Sequence, residues 1–260
     1  MNSADNREGL RGAILASPSY RLAHEDADLL ADADLRPLRL QLELVKPERA
    51  LRQHAIRSTV VVFGSARMGP AGHEADPERA QRHARYLDEA RRFAGMVSRR
   101  FQEEGRRDFV VVTGGGPGIM EAANRGAWEV GARSMGLNIT LPHEQAPNPF
   151  ITPDLAFRFR YFAIRKMHFA LRARAMVAFP GGYGTLDEVF EMLALVQTGK
   201  MEAIPIVLFG SAFWSRAVDF GFLVAEGMID PADVDLFTVV DTAEEAIAVL
   251  ENFYGGKPPP

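Results

Sequence analysis

Residues 176 to 192 read Met-Val-Ala-Phe-Pro-Gly-Gly-Tyr-Gly-Thr-Leu-Asp-Glu-Val-Phe-Glu-Met, an apolar run that breaks into glycines and resumes with an amphipathic pattern. The run before Pro180 predicts a buried strand, and the apolar spacing after the glycines predicts a helix. Gly181, Gly182 and Gly184 let a ligand approach the main chain closely, while Pro180 fixes the exit from the strand. The stretch therefore predicts a strand, a tight loop and a helix N-terminus.

A helix N-terminus of this kind suits an anion. Its first amides lack partners within the helix and carry the positive end of the helix dipole, so N–H groups and a hydroxyl would hold a phosphate placed over Thr185. An alternative stays open, because Thr185 and Glu188 have the spacing of a capping box, which needs no ligand. Capping leaves the three glycines unexplained, and also Glu191, which shares the helix face of Glu188. We expect a phosphate-bearing ligand at this loop.

The run from Pro180 to Glu188 resembles the Pro-Gly-Gly-x-Gly-Thr-x-x-Glu signature of the LONELY GUY (LOG) family. The members of that family are phosphoribohydrolases, which cleave nucleoside 5′-monophosphates to the free base and ribose 5-phosphate. The resemblance implies the same activity here, on AMP, on cytokinin riboside 5′-monophosphates or on both. It covers about residues 58 to 250 and leaves the N-terminal segment unexplained.

Length and composition narrow the class of protein. A chain of 260 residues is long enough for one substantial α/β domain. The formal net charge of -4 gives no general attraction for nucleic acid, which favours free nucleotides over polymers as partners. The absence of cysteine excludes disulfides, a thiolate nucleophile and a cysteine-ligated metal. Because no run is as apolar and long as a membrane span and residues 1 to 11 are unlike a signal peptide, we expect a cytoplasmic protein with no membrane partner.

Three segments are predicted along the chain. Residues 1–57, rich in Arg, Asp, Glu, Leu and Ala, predict a helical N-terminal extension; residues 58–254 predict a Rossmann-like LOG domain; residues 255–260 predict a disordered tail. Leucines between residues 38 and 44 fit both a strand and a helix, of which we favour the helix. Pro47 predicts the start of another short helix, since proline suits a first turn.

Strands and helices alternate through the Rossmann-like segment. Continuous β-branched runs predict parallel strands that are buried on both faces. The predicted strands cover residues 59–63, 109–113, 134–141, 204–209 and 237–240, together with one before Pro180 and one at the start of residues 157–168. The predicted helices cover residues 76–104, 119–130, 242–253 and the segments after residue 160 and after Gly184. The pattern predicts an α/β fold, a Rossmann-like doubly wound parallel sheet with helices on both faces and ligands at the strand carboxyl ends.

A second glycine run, residues 114 to 118, follows one of these strands. A dinucleotide motif would need glycine at Ile119, and a P-loop would need Gly-Lys-Ser or Gly-Lys-Thr, so neither is favoured. Spacing alone leaves a tight crossover and a ligand contact equally open. The resemblance favours ligand contact, because residues 114 to 121 are similar to the second glycine motif at the nucleotide site of the LOG family. Residues 142 to 153, with four prolines, predict an ordered loop across the strand ends.

A local positive patch lies between Phe157 and His168, where four cationic side chains fall within nine residues. Any one of them could belong to a solvated helix face. Arg165 and Lys166 resemble the Arg-Lys pair from which the LOG family draws its catalytic arginine. His168 is predicted to be a hydrogen-bonded helix residue rather than a catalyst.

The predicted site therefore combines strand ends with the charged helix, and it needs no metal or cofactor. Glu188 and Arg165 are the predicted catalytic residues. The predicted substrate-binding residues are Gly64, Ser65, Gly114, Gly115, Gly116, Gly118, Met120, Glu121, Lys166, Pro180, Gly181, Gly182, Tyr183, Gly184, Thr185 and Glu191.

Cleavage of an N-glycosidic bond builds positive charge at the anomeric carbon. Glu188 could stabilise this charge, or it could orient the attacking water. Arg165 could hold the phosphate, polarise the leaving base or maintain the charge of Glu188. Glu191 is predicted to contact the ribose hydroxyls. The sequence also predicts a homodimer or a higher homo-oligomer, from the resemblance and from the apolar helix at residues 189–196.

Two rival functions remain at this stage. A non-catalytic carrier of a nucleotide or of molybdenum cofactor, as in a related branch with a similar fold, needs glycine amides but no carboxylate at the sugar. A pyridoxal-phosphate decarboxylase needs a Schiff-base lysine, and of the four lysines Lys166 alone lies in the predicted site.

Overall fold

A computed structural model of the chain describes residues 3–69, 76–102, 108–141 and 146–257. Packing divides the chain into two units, with the division between Lys46 and Pro47. The predicted domain boundary at residues 57 and 58 stays a prediction. The predicted end of one helix near Gly105, part of the proline-rich loop and the last residues of the predicted tail lie outside the described residues.

The N-terminal segment is helical, as predicted. It contains α1 (Ser3–Ala16), α2 (Ala27–Ala31) and α3 (Arg36–Gln53). The prediction of a separate helix starting at Pro47 is wrong, because α3 continues through this proline. A proline inside a helix lacks one N–H donor. Pro47 and Leu51 are buried, and this apolar contact area favours continuation of the helix over a break.

Seven parallel strands form one sheet in the order β4-β3-β2-β1-β5-β6-β7. Their bounds are β1 Thr59–Phe63, β2 Val110–Thr113, β3 Ser134–Ile139, β4 Ala156–Phe159, β5 Ala173–Ala178, β6 Ile206–Phe209 and β7 Phe237–Val240. The chain starts in the middle with β1, proceeds to one edge, and returns to β5 on the other side of β1. The direction of winding therefore reverses between β1 and β5, where a crevice opens at the strand carboxyl ends.

Helices cover both faces of the sheet, which confirms the predicted doubly wound fold. They are α4 Pro77–Gln102, α5 Ile119–Glu129, α6 Phe162–Leu171, α7 Tyr183–Gln197, α8 Ser211–Ala217, α9 Phe220–Ala225 and α10 Ala243–Phe253. One core contains Val60 and Val62 of β1 with residues of α4, α5 and α10, and the other contains Val61 and Phe63 with residues of α6, α7 and α8. Alternate side chains of one strand thus supply two cores.

Helix termini follow the local sequence. Asp76 accepts hydrogen bonds from the amides of Glu78 and Arg79 at 3.0 and 3.2 Å, as predicted for the start of α4. Thr242 and Glu245 form a capping box at the start of α10. Every helix in the described ranges is too short or too polar to span a lipid bilayer.

Candidate active site

The three loops that follow β1, β2 and β5 meet at Ser65. Its amide donates to the carbonyl of Pro180 at 3.0 Å, and its carbonyl accepts from the amide of Ile119 at 3.1 Å. Three segments that are distant in the sequence are therefore joined at the switch between β1 and β5. The structure brings the predicted residues of all three strand ends to this one edge of the sheet.

Close contacts require glycine at several positions in these loops, including Gly181 and Gly118. A Cβ at Gly181 would lie 2.1 Å from Oγ1 of Thr185, and a Cβ at Gly118 would lie 2.3 Å from the carbonyl oxygen of Ser65. Gly118 also has a positive φ of 69°. Substitution at either position would force the loop away from its neighbour.

Helix α7 begins without a side-chain cap. Its N-cap is Gly182, and the amide of Thr185 bonds to the carbonyl of Gly182 at 3.0 Å, so Thr185 lies inside the first turn. The capping-box alternative for Thr185 and Glu188 is therefore wrong. Capping does not account for either side chain, and the N-terminal amides of α7 have no side-chain acceptor from the cap residue.

Glu188 and Arg165 form a buried pair on neighbouring helices. Nη2 of Arg165 lies 3.8 Å from Oε1 of Glu188, and Glu188 is only 4% exposed. Burial raises the pKa of Glu188 to about 7, although the positive charges of Lys166 and Arg165 act in the opposite direction. Near neutral pH this carboxyl group can therefore both give and accept a proton.

The guanidinium of Arg165 lies over the rings of Phe162 and Phe169, at 5.0 and 5.7 Å from their centroids. Burial lowers the pKa of Arg165, and the charges of Glu188 and Asp187 oppose that shift. Its buried Nε has no hydrogen-bond partner among the described residues. A buried donor left unsatisfied is costly, so this atom is suited to an acceptor supplied by a ligand.

Lys166 is paired with two carboxylates on α7. Its Nζ lies 2.6 Å from Asp187 and 3.1 Å from Glu191. Burial disfavours the ammonium form, but the hydrogen bonds to Asp187 and Glu191 outweigh it and raise the pKa of Lys166. Glu191, predicted at the ribose hydroxyls, therefore holds Lys166 in this structure.

The second glycine loop is fixed by a buried amide network. Asn148 donates from Nδ2 to the carbonyl of Gly116 at 3.0 Å and to Oδ1 of Asn124 at 2.9 Å. Thr113 donates to the same oxygen of Asn124 at 2.7 Å and accepts from the amide of Gly115 at 3.0 Å. These hydrogen bonds within the chain hold the loop in its conformation.

The remaining predicted residues lie at the same strand ends with different exposure. Gly64 packs against Ile119 of α5, Met120 packs against Gly114, and Glu121 lies in the first turn of α5. A Cβ at Gly182 or Gly184 would meet open space. Tyr183 is 93% exposed, so its predicted ligand contact receives no support from packing within the chain.

Known proteins resemble this chain at the level of sequence. A family model described as "possible lysine decarboxylase" matches residues 120–250, half of the chain. Curated relatives include a probable cytokinin riboside 5′-monophosphate phosphoribohydrolase, LOG4 of Oryza sativa subsp. japonica, which is 30% identical over 148 residues. The chain belongs to the LONELY GUY (LOG) family. A further LOG relative, LOG3 of Arabidopsis thaliana, is 28% identical over 152 residues.

These LOG relatives are matched over part of their length. The alignment covers 55% of this chain and 63% of the rice LOG4, and 56% of this chain and 69% of the Arabidopsis LOG3. A second rice relative, LOGL9, is 38% identical over 97 residues, which are 34% of this chain and 40% of that protein. The chain thus spans 40 to 69% of the length of these relatives.

Solved structures share the fold of this LOG family member. The molybdenum cofactor binding protein of Rippkaea orientalis has a TM-score of 0.51 at 20% identity, covering 76% of this chain and 98% of that chain. The Moco carrier protein of Chlamydomonas reinhardtii has a TM-score of 0.50 at 21% identity, covering 77% and 100%. At this identity the likeness concerns the fold alone.

The description of the LOG family model names a decarboxylase, which would need a neutral lysine to form a Schiff base with pyridoxal phosphate. Lys166 is held between Asp187 and Glu191, and both contacts favour its protonated form. The residues around Lys166 therefore do not fit that cofactor.

Sequence reasoning missed several residues of this site. Asp187 lies inside the glycine signature and shares a helix face with Glu191 at i, i+4, so helical spacing could have identified it. Asn124, Asn148 and Thr113 meet only through the fold, and no local pattern indicates their contact.

Proposed function

We propose that the protein hydrolyses the N-glycosidic bond of nucleoside 5′-monophosphates, AMP or cytokinin riboside 5′-monophosphates, to the free base and ribose 5-phosphate. The observation that carries this proposal is the buried pair of Arg165 and Glu188 beside the glycine loop of α7. The names of the curated LOG relatives support the same reaction class.

In this proposal the 5′-phosphate binds at the N-terminus of α7. The amides of the first turn and the hydroxyl of Thr185 donate to its oxygens, and the helix dipole favours the charge. Arg165 and Lys166 supply the local positive charge that a phosphate needs beside the carboxylates of α7.

Glu188 then supplies the carboxylate that the reaction needs beside the sugar. In its ionised form it stabilises positive charge at the anomeric carbon and accepts the proton of the attacking water. The bond between that carbon and the base nitrogen breaks, the electron pair leaves with the base, and the water oxygen bonds to the sugar. The proton that Glu188 takes from the water passes to the base, which restores the carboxylate. Arg165 favours the ionised form of Glu188 and offers its Nε to a substrate acceptor.

The carrier alternative is less well supported by this arrangement. A carrier needs the glycine amides, but it does not need a carboxyl group buried beside a guanidinium. Burying these two charged groups costs free energy, because both lose their hydration. Burial of both groups is expected where their altered protonation serves chemistry.

The test is incubation of the purified protein with AMP, GMP, CMP, UMP and a cytokinin riboside 5′-monophosphate, with released bases separated by chromatography. We expect release of base from at least one purine nucleotide, and loss of that release in the Glu188→Gln variant. Tight binding of a nucleotide without release of base from any of them would refute the hydrolase and favour the carrier.

A further inference from the structure

A cavity opens beside the glycine loop, between α4 and α8. It has a volume of about 680 Å³, within the usual range for small-molecule sites. Ser65, Pro180 and Gly181 line one wall, so the cavity shares these three predicted substrate-binding residues with the candidate active site. The cavity is separate from the pair of Arg165 and Glu188, neither of which lines it.

The face of α4 that lines this cavity is cationic. Arg79, Arg82, His83 and Tyr86 follow each other at i, i+3, i+4 and i+7, so they share one side of the helix. The same stripe continues along α4 through Ala90, Phe93, Ala94 and Val97, which are completely buried in the core. Where α4 leaves the core, its inward face therefore changes from apolar to positively charged.

The opposite wall adds a third guanidinium group. Arg216 lies in the last turn of α8 and lines the cavity together with the ring of Phe213. Among the described residues that line the cavity, none is an aspartate or a glutamate. Arg82 pairs with Glu78 at 3.7 Å, but both side chains are exposed, and such surface pairs are weak enough to exchange for a ligand.

Asp76 and Glu78 at the start of α4 offset part of this positive charge, since Asp76 interacts electrostatically with Arg79 and Arg82 and Glu78 pairs with Arg82. Three guanidinium groups and an imidazole exceed what one phosphate requires, and planar guanidinium groups are suited to phosphate oxygens. Tyr86 and Phe213 add aromatic surface on which a base could rest.

We propose that this cavity is a second anion site that binds the polyphosphate group of a nucleoside di- or triphosphate. Its chemistry differs from that of the α7 loop, which offers helix amides and one hydroxyl to a single phosphate. Because Pro180 and Gly181 line the cavity, a ligand bound there would touch the glycine loop directly.

The test is calorimetric titration of the purified chain with inorganic pyrophosphate, ATP and AMP, at low salt and at about 0.15 M salt, where screening is stronger. The variants are Arg82→Ala and Arg216→Ala, which remove exposed charges from two different helices. Arg52→Ala is the matched control, because it removes an exposed arginine of α3 that does not line the cavity. Thermal unfolding of each variant checks that it is folded.

We expect ATP and pyrophosphate to bind the wild type. Their affinity for each of the two variants should be at least about tenfold lower, and their affinity for the control should be unchanged. AMP affinity should stay within about twofold throughout. The proposal is overturned if ATP and pyrophosphate do not bind, if the control weakens them equally, or if the two variants weaken AMP as much as ATP. The last outcome would place these arginines in the monophosphate site, and none of the three depends on hydrolytic activity.

Discussion

At the scale of single residues, Glu188 combines burial with two neighbouring cations, Lys166 and Arg165, and both conditions act on its protonation. Burial dominates and raises its pKa to about 7. The sequence predicted Glu188 from the glycine signature and Arg165 from the Arg-Lys pair, both by resemblance to the LOG family, and their catalytic roles stay predictions. It could not identify Asn124 and Asn148, because their hydrogen bond joins α5 to a distant loop and depends on how the chain folds.

The Glu188→Gln variant tests whether this carboxyl group acts in the reaction. Glutamine keeps the size of the side chain and part of its hydrogen bonding but removes the ionised form. We expect kcat for AMP to fall by roughly 10² to 10⁴, while the Kd for AMP changes little. Steady-state kinetics and calorimetry measure the two quantities separately. An unchanged kcat would leave Glu188 with a structural role only.

The stability of the protein should depend on pH through the same residue. The unfolded chain loses the Glu188 proton near 4.5, whereas the folded chain retains it until about 7. The folded state therefore binds more protons between these values, and the free energy of unfolding falls as the pH rises through this window. The Glu188→Gln variant lacks this proton and its pH dependence. The free energy of unfolding of the variant minus that of the wild type should therefore rise by on the order of 3 kcal/mol from pH 4.5 to pH 8. Chemical denaturation of both proteins at the two pH values measures it, and a constant difference would contradict the prediction.

At the scale of elements, the glycine loop and the first turn of α7 form the unit that we propose binds the phosphate. The long β-branched runs and the capped helices were predictable, since each has a strong local signal. Helices α8 and α9 were not, because six or seven residues are too few for a clear period. Pro47 misled the prediction, since its burial within α3 is visible only in the packed chain.

The phosphate should be obligatory if the N-terminus of α7 supplies the binding energy. In that case its amides and the hydroxyl of Thr185 donate hydrogen bonds to the phosphate. Adenosine has no phosphate and therefore loses several charge-assisted hydrogen bonds of about 1.5 to 3 kcal/mol each. We expect kcat/KM for adenosine to be at least about a thousandfold below that for AMP. Initial rates of adenine release from adenosine, AMP and ATP at equal concentration measure this. ATP should also fail, because the loop is built around one phosphate, and comparable rates for adenosine and AMP would refute the phosphate site.

At the scale of the whole molecule, the outer surface of α7 and α9 carries more apolar area than the sheet covers. Phe190 is 39% exposed and Phe222 is 58% exposed. We propose that a second copy of this chain covers this surface, in agreement with the predicted homo-oligomer.

The oligomer is tested by light scattering of the purified chain at micromolar concentration. We expect at least a dimer for the wild type and a shift towards monomer for Phe190→Asp, because a charge would be buried in the interface. The control is Phe253→Asp on α10, where another partly exposed phenylalanine lies on the opposite face of the sheet. A wild-type mass equal to that of one chain would exclude the interface.

The central position of β1 also governs when the site can form. Its register joins residues 59 to 63 with residues 173 to 178 of β5, a separation of roughly a hundred residues that makes loop closure slow. During synthesis β1 can pair with β2 early, but its other edge stays unpaired until β5 has left the ribosome, and an unpaired edge attracts other chains. Nascent chains that stall before residue 173 should therefore be inactive and prone to aggregate. If translation resumes and β5 is completed, the chains should fold.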